Sequence, residues 1–194
     1  LESDRTALHV TGLHIAGPES ENLCTKAWSM LQEDFDIPAV EIHLHKVIPM
    51  GGGLGGGSSD AAFMLRMLSD HFNLGLGEEL LTRYAARLGS DCPFFIHNVP
   101  SLAEGRGDIL EPVDIDLSPF TIVIVYPEVH IETARAYAGI HPAQPAEHLR
   151  DILVRTEVEQ WRQHVFNDFE KSVFDMVPEL SQIKRQLYDC GAVY

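Results

Sequence analysis

Residues 49–62 read Pro49-Met50-Gly51-Gly52-Gly53-Leu54-Gly55-Gly56-Gly57-Ser58-Ser59-Asp60-Ala61-Ala62, with six glycines in seven positions before two serines and an acid. Each glycine loses more backbone entropy on folding than any other residue, and a structural turn needs only one or two. Backbone N–H groups converging on an anion need several, because a Cβ would block the approach of phosphate oxygens. The flanks favour this second use over a plain connector. Before the run, Val40, Ile42 and Leu44 alternate with Glu41, His43 and His45, the period of a strand with one face buried, and Pro49 stops it. After it, Ala61, Met64, Leu65, Leu68 and Phe72 recur at helical spacing. This predicts a helix over 59–73, with Ser58 or Ser59 as its cap and Asp60 at the positive end of its dipole. Strand, glycine loop and helix together make the layout of a phosphate site.

Two familiar phosphate loops do not account for it. The Walker pattern needs Gly-Lys-Ser/Thr, and Gly57 stands where the lysine should precede Ser58. G-x-G-x-x-G fits Gly51, Gly53 and Gly56, but a run this rich in glycine matches trivially. A dinucleotide site also wants an acid closing a second strand about 20 residues on. The nearest acid beyond the loop region, Asp70, falls inside the predicted helix.

Working outward, Leu8 to His14 alternates weakly, and Gly12 suggests a turn near a sheet edge. Leu23, Ala27, Met30 and Leu31 form a helical stripe that ends near Asp34. A second helix is predicted from about Glu78 to Leu88, with Gly89 as its stop. Ser90-Asp91-Cys92-Pro93 and a short apolar run, Phe94 to Ile96, follow, then an acidic loop over 104–116. Thr121 to Tyr126 reads as a buried central strand. Helical segments are expected at about 132–139, 146–155, 157–176 and 179–190, with a soft boundary near 115–118.

Composition narrows the function. Of 194 residues, 45% are hydrophobic and 22% charged, an ordinary globular balance that excludes a disordered chain. The apolar runs stop far short of the roughly 20 residues a membrane span needs. A net charge of −15 argues against general affinity for nucleic acid, whose binding rests on neutralising phosphates, yet leaves room for one small anionic ligand at a helix end. Three scattered cysteines, Cys24, Cys92 and Cys190, with no C-x-x-C, read as thiols of a reducing compartment. His43 and His45 lie two apart on one strand face, which allows a metal pair, but no third ligand stands at a telling spacing. Cys92 beside Asp91 has no histidine partner that would make it a nucleophile.

The glycine block resembles the ATP-binding motif of the GHMP kinases, and its double triplet GGGLGGGSS resembles most the branch acting on a cytidine-diphosphate-linked methylerythritol. Leu88-Gly89-Ser90-Asp91-Cys92-Pro93-Phe94-Phe95 is similar to that branch's LGADxPFF segment, with Ser90 in place of alanine. Glu104-Gly105-Arg106-Gly107-Asp108 resembles the acidic glycine turn that follows, and Glu21-Asn22-Leu23 a DNL helix start with Glu for Asp. The resemblance spans nearly the whole chain in order. It implies an α+β, two-lobed fold: an ATP-binding lobe over 1–116, like the second domain of ribosomal protein S5, and a ferredoxin-like substrate lobe over 117–194, incomplete at its C-terminus.

What the resemblance implies chemically is ATP-dependent phosphorylation of the 2-hydroxyl of the cytidine-bearing alcohol, in the non-mevalonate supply of isoprenoid precursors. ATP is expected on Pro49, Met50, Gly51, Gly52, Gly53, Leu54, Gly55, Gly56, Gly57, Ser58 and Ser59. Ser59 would face either the phosphates or a Mg²⁺ ion carried with them. Lys46 either touches the nucleotide or is a solvated lysine at a strand end. Asp91 takes the role of base: phosphoryl transfer needs a group that positions the acceptor hydroxyl and takes its proton. Thr133 and Tyr137 fall where the family places part of the acceptor pocket; without the family, Tyr137 reads equally as a packed core aromatic. The family also begins with a lysine-bearing strand and ends with a second glycine-serine loop, neither of which this sequence contains. Self-association through unpaired sheet edges is therefore expected. The implied setting is the cytoplasm, or the plastid stroma in a plant. The rival readings are another small-metabolite kinase of the same superfamily (homoserine or mevalonate type) and a nucleotide-binding module without turnover.

Overall fold

Parallel strands cannot be joined by a tight turn and need a crossover, usually helical. The first three elements of this chain are such a unit. β1 (Ala7–Gly12) runs parallel to β2 (Glu41–Lys46), joined through helix α1 (Leu23–Phe35). Leu8 lies opposite Ile42 and Gly12 opposite Lys46 in the register. The computed structural model describes residues 5–49, 53–127, 129, 131, 133–141, 143 and 145–194. They divide into two units, Leu1–Pro112 and Val113–Tyr194.

In the first unit four helices supply most of the core. α1 starts at Asn22, whose side chain accepts from the Cys24 N–H at 2.9 Å, and buries Cys24, Ala27 and Leu31. α2 (Gly56–His71) buries Ala61, Leu65 and Leu68, and α3 (Glu78–Leu88) buries Leu81, Tyr84 and Ala85. These stripes meet Leu8 and Ile42 of the sheet, so one face of β1 and β2 is covered and His9, Thr11, His43 and His45 stay on the other. The Tyr84 hydroxyl donates to the Asp34 carboxylate, which fastens α3 to the end of α1.

Several local expectations are corrected. α2 begins at Gly56 rather than near residue 59, because its N-cap is Gly55 in the left-handed region at φ 63°; Ser58 and Ser59 lie inside its first turn and do not cap it. Phe94–Ile96 belongs to a short helix, α4 (Cys92–His97), with Pro93 in its first turn, where proline loses no hydrogen bond. The acidic stretch contains an antiparallel hairpin, β3 (Ser101–Glu104) and β4 (Ile109–Pro112). Gly105 (φ 67°) and Gly107 (φ 89°) make its turn, and Asp108 accepts from the Arg106 N–H at 2.9 Å, which holds its carboxyl below the usual carboxylate range.

The second unit carries α5 (Thr133–Ala138), α6 (Leu149–Arg155), α7 (Trp161–His164), α8 (Phe169–Met176) and α9 (Pro178–Asp189). Thr121–Tyr126 is not a buried strand: it has no hydrogen-bonded strand neighbour among the described residues, and Ile122 is 75% and Val123 71% exposed. A lone extended segment has no ladder to satisfy its backbone and no second layer to cover its side chains. Only Val113 and Trp161 are buried among the described residues of this unit. No helix among the described residues is long and apolar enough to cross a membrane.

Candidate phosphate-transfer site

The first turn of any helix leaves N–H groups without intrahelical acceptors, and its dipole makes that end positive. In α2 the Ser59 N–H bonds the Gly55 carbonyl at 2.8 Å, so the N–H groups of Gly56, Gly57 and Ser58 precede the first complete turn. Gly55 and Gly53 both hold positive φ (63° and 71°). A Cβ at Gly55 would stand 2.9 Å from the Phe95 ring, and one at Gly56 3.1 Å from Lys46 Nζ and from Ile48. Gly55 is therefore required for sterics as well as dihedral freedom, Gly53 for dihedral freedom alone, and at Gly56 a side chain would have Lys46 and Ile48 give way by a few tenths of an ångström. Met50, Gly51 and Gly52, expected in the same loop, lie outside the described residues.

Lys46 is not a solvated strand-end lysine. It is 3% exposed, and its Nζ donates to Asp60 Oδ2 at 2.5 Å, joining β2 to the first turns of α2. Asp60 thus serves as the partner of a buried ammonium, a role its sequence position near the dipole did not reveal. The pair lines a cavity of about 330 Å³ together with Leu8, Val10, Asn22 and Gly57. Asn22 and Asp60 are the residues that sequence reading missed here. The one available signal for Asp60 was its spacing from Lys46, which spans the whole loop.

α4 packs across the start of α2. Phe95 lies against Gly55, the Cys92 thiol shares a hydrogen bond with Ser58, and Arg66 donates to the Ile96 carbonyl. Asp91 is the residue before α4, solvent-exposed, with Ser90 Oγ donating to its Oδ1 at 3.3 Å. The β3–β4 turn approaches from another side: a Cβ at Gly107 would be 3.6 Å from Asp91 Oδ1. Glycine loop, exposed carboxylate and hairpin turn meet at one end of α2.

The two thiols of the first unit, Cys24 and Cys92, are inert by comparison. Burial pushes the Cys92 thiol up, against the lowering effect of Ser58, and the nearby Asp91 charge adds to the rise. Burial pushes Cys24 up to about 12, with the Asp60 charge adding and Lys46 opposing. A thiol held protonated is neither nucleophile nor metal ligand. In the second unit Tyr137 is 63% exposed and meets Phe169 edge-on at 5.0 Å between ring centroids, so it is not a core aromatic. The Thr133 side chain lies outside the described residues.

Known proteins resemble this chain in sequence and in fold. Residues 22–98 match the family model described as the GHMP kinases N terminal domain. A 4-diphosphocytidyl-2-C-methyl-D-erythritol kinase of Bacteroides fragilis (strain YCH46) is 49% identical over 187 residues, 96% of this chain and 68% of that protein. A crystal structure of 4-(cytidine 5'-diphospho)-2C-methyl-D-erythritol kinase superposes with a TM-score of 0.70 at 28% identity, over 98% of this chain and 68% of the other. A homoserine kinase from Cytophaga hutchinsonii shares the fold at 16% identity and a TM-score of 0.65, over 98% and 69% of the two chains.

Proposed function

Because the chain belongs to the GHMP kinases, and within them to the 4-diphosphocytidyl-2-C-methyl-D-erythritol kinases, we propose that Asp91 is its catalytic base and that the glycine loop and the cavity beside Lys46 hold ATP. The reaction is the ATP-dependent phosphorylation of the 2-hydroxyl of 4-diphosphocytidyl-2-C-methyl-D-erythritol, a step in the non-mevalonate route to isoprenoid precursors. The observation that carries the site assignment is the packing of α4 on the start of α2, which brings an exposed carboxylate beside uncapped helix N–H groups.

In this reading the backbone of 53–58 surrounds the terminal phosphates, and the N–H groups of Gly56, Gly57 and Ser58 meet the charge that spreads over the transferred group. Pro49, Met50, Gly51 and Gly52 complete the approach to the loop. Lys46 adds a positive charge at the cavity wall. Its link to Asp60 keeps that charge partnered before nucleotide arrives. Mg²⁺ bound with the nucleotide supplies charge neutralisation, and the Ser59 hydroxyl, in the first turn of α2, is the group that would reach it. The Asp91 carboxylate orients the acceptor hydroxyl and takes its proton. The acceptor's cytidine is assigned to Thr133 and Tyr137, the latter offering an exposed ring for stacking.

The 1–112 unit is thereby the nucleotide-binding lobe and the 113–194 unit the acceptor lobe. A cytoplasmic setting goes with this reading, since Cys24, Cys92 and Cys190 are all free thiols, as in a reducing compartment. Self-association goes with it too, because the uncovered apolar run Thr121–Tyr126 is a template for pairing with another chain.

The deciding experiment is Asp91→Asn. Turnover of the cytidine-bearing alcohol should fall by about 10²–10⁴, the usual worth of a positioned general base, while ATP binding measured calorimetrically stays unchanged. A loss of turnover under about threefold would make Asp91 a structural turn residue. Homoserine and mevalonate offered as rival acceptors read the specificity in the same assay.

A further inference from the structure

The outer face of the β1–β2 sheet carries a cluster that phosphate transfer does not use. Parallel register puts His9 directly opposite His43, and their imidazoles stack with centroids 4.9 Å apart and planes 27° from parallel. Glu41 is two residues before His43 on the same strand and so projects from the same face. Its Oε2 lies 3.7 Å from His43 Nε2. One ligand atom from each of the three residues lies within 4.8 Å of the others, and all three side chains are exposed. His45, on the same face, is not one of this group, and its Nδ1 is hydrogen-bonded to Thr11 Oγ1 at 2.9 Å. The histidine pair that sequence spacing offered, His43 with His45, is thus replaced by a cross-strand pair, and the missing third ligand comes from Glu41.

We propose that His9, Glu41 and His43 form a surface site for one divalent transition-metal ion of the zinc class. Two imidazoles and a carboxylate are a donor set that zinc accepts, leaving a fourth position for water. Donor atoms around tetrahedral zinc stand about 3.3 Å apart, so the three groups must close by about 1.5 Å at most. Rotation of exposed side chains supplies that movement without shifting the strands, whose register already fixes the Cα positions. A chain of net charge −15 attracts cations to its surface. The site faces away from Leu8 and Ile42, whose side chains point to the core, so metal and nucleotide occupy opposite faces of the same sheet.

The test is a zinc titration of the tag-free whole chain carrying Cys190→Ser, which removes the exposed thiol. It is read by competition with a chromophoric chelator. One zinc per chain is expected. His9→Asn and His43→Asn should each weaken it at least tenfold and Glu41→Gln several-fold, while His45→Asn leaves it unchanged. Co²⁺ in place of zinc should give a visible ligand-field spectrum that His9→Asn abolishes. Circular dichroism of each variant reports that the sheet is intact. Equal zinc affinity in wild type, His9→Asn and His43→Asn would overturn the proposal. So would a loss on His45→Asn matching that on His43→Asn, since it would move the ion to the pair on β2.

Discussion

At Gly55 one side-chain carbon decides whether the loop can exist. The residue holds φ 63°, and a Cβ there would meet the Phe95 ring at 2.9 Å. Gly55→Val combines a left-handed backbone with a branched side chain and a ring that must move. Nucleotide affinity should fall at least tenfold in calorimetry, with the helical circular dichroism signal retained. Gly57→Ala is the informative companion, because a Cβ there meets only Leu23, at 3.9 Å. Alanine inside a helix should stabilise the fold by up to about 1 kcal/mol, so any loss of affinity in that variant reports phosphate approaching Gly57 rather than damage to the helix. Unchanged affinity in both variants would make the glycine run a connector. A loop built on glycine was legible in the sequence, where six glycines in seven positions exceed what a turn needs. The helix boundary was not, because serine is a better cap than glycine by propensity alone and nothing local shows that Phe95 closes over residue 55.

Between elements, the Lys46–Asp60 pair ties β2 to α2 across the whole loop. Removing one partner of a buried pair strands the other's charge, whereas replacing both by apolar groups of similar size can be nearly neutral. Lys46→Met should therefore destabilise by about 1–3 kcal/mol, discounted because Asp60 is a quarter exposed. The double variant with Asp60→Leu should recover most of that in urea unfolding. Recovered stability without recovered ATP affinity separates the ammonium's binding role from its structural one; full recovery of both would assign Lys46 to the scaffold alone. Elements with long periodic patterns were legible: β2, α1 and α3 lie within a residue or two of expectation. The hairpin of β3 and β4 was not, since four-residue strands carry too little alternation to register. α4 was hidden because Pro93 reads as a breaker until its place in the first turn is known. Thr121–Tyr126 shows the reverse failure: its apolar content reads as burial, but burial needs neighbours that the pattern cannot supply.

Across the whole chain, the packed interior is concentrated in the first unit, and the described part of the second buries only Val113 and Trp161. Local stability follows buried apolar contact, so the two units should not open together. Scanning calorimetry should give two transitions, the lower one accompanied by loss of helical signal from α5 to α9; a single cooperative transition would refute this. The first unit ends at Pro112, the last residue of β4, so its limit coincides with the end of the β3–β4 hairpin. The three thiols turn this arrangement into a clock. Cys190 is exposed, so a maleimide should consume it at once. Cys24 and Cys92 are buried in the first unit with their thiols held protonated. Their labelling can proceed only as fast as that unit opens. At maleimide concentrations where labelling outpaces reclosing, counting modified cysteines by mass against time would thus give the opening rate of the first unit, and ATP bound there should slow it by the fraction of chains it occupies.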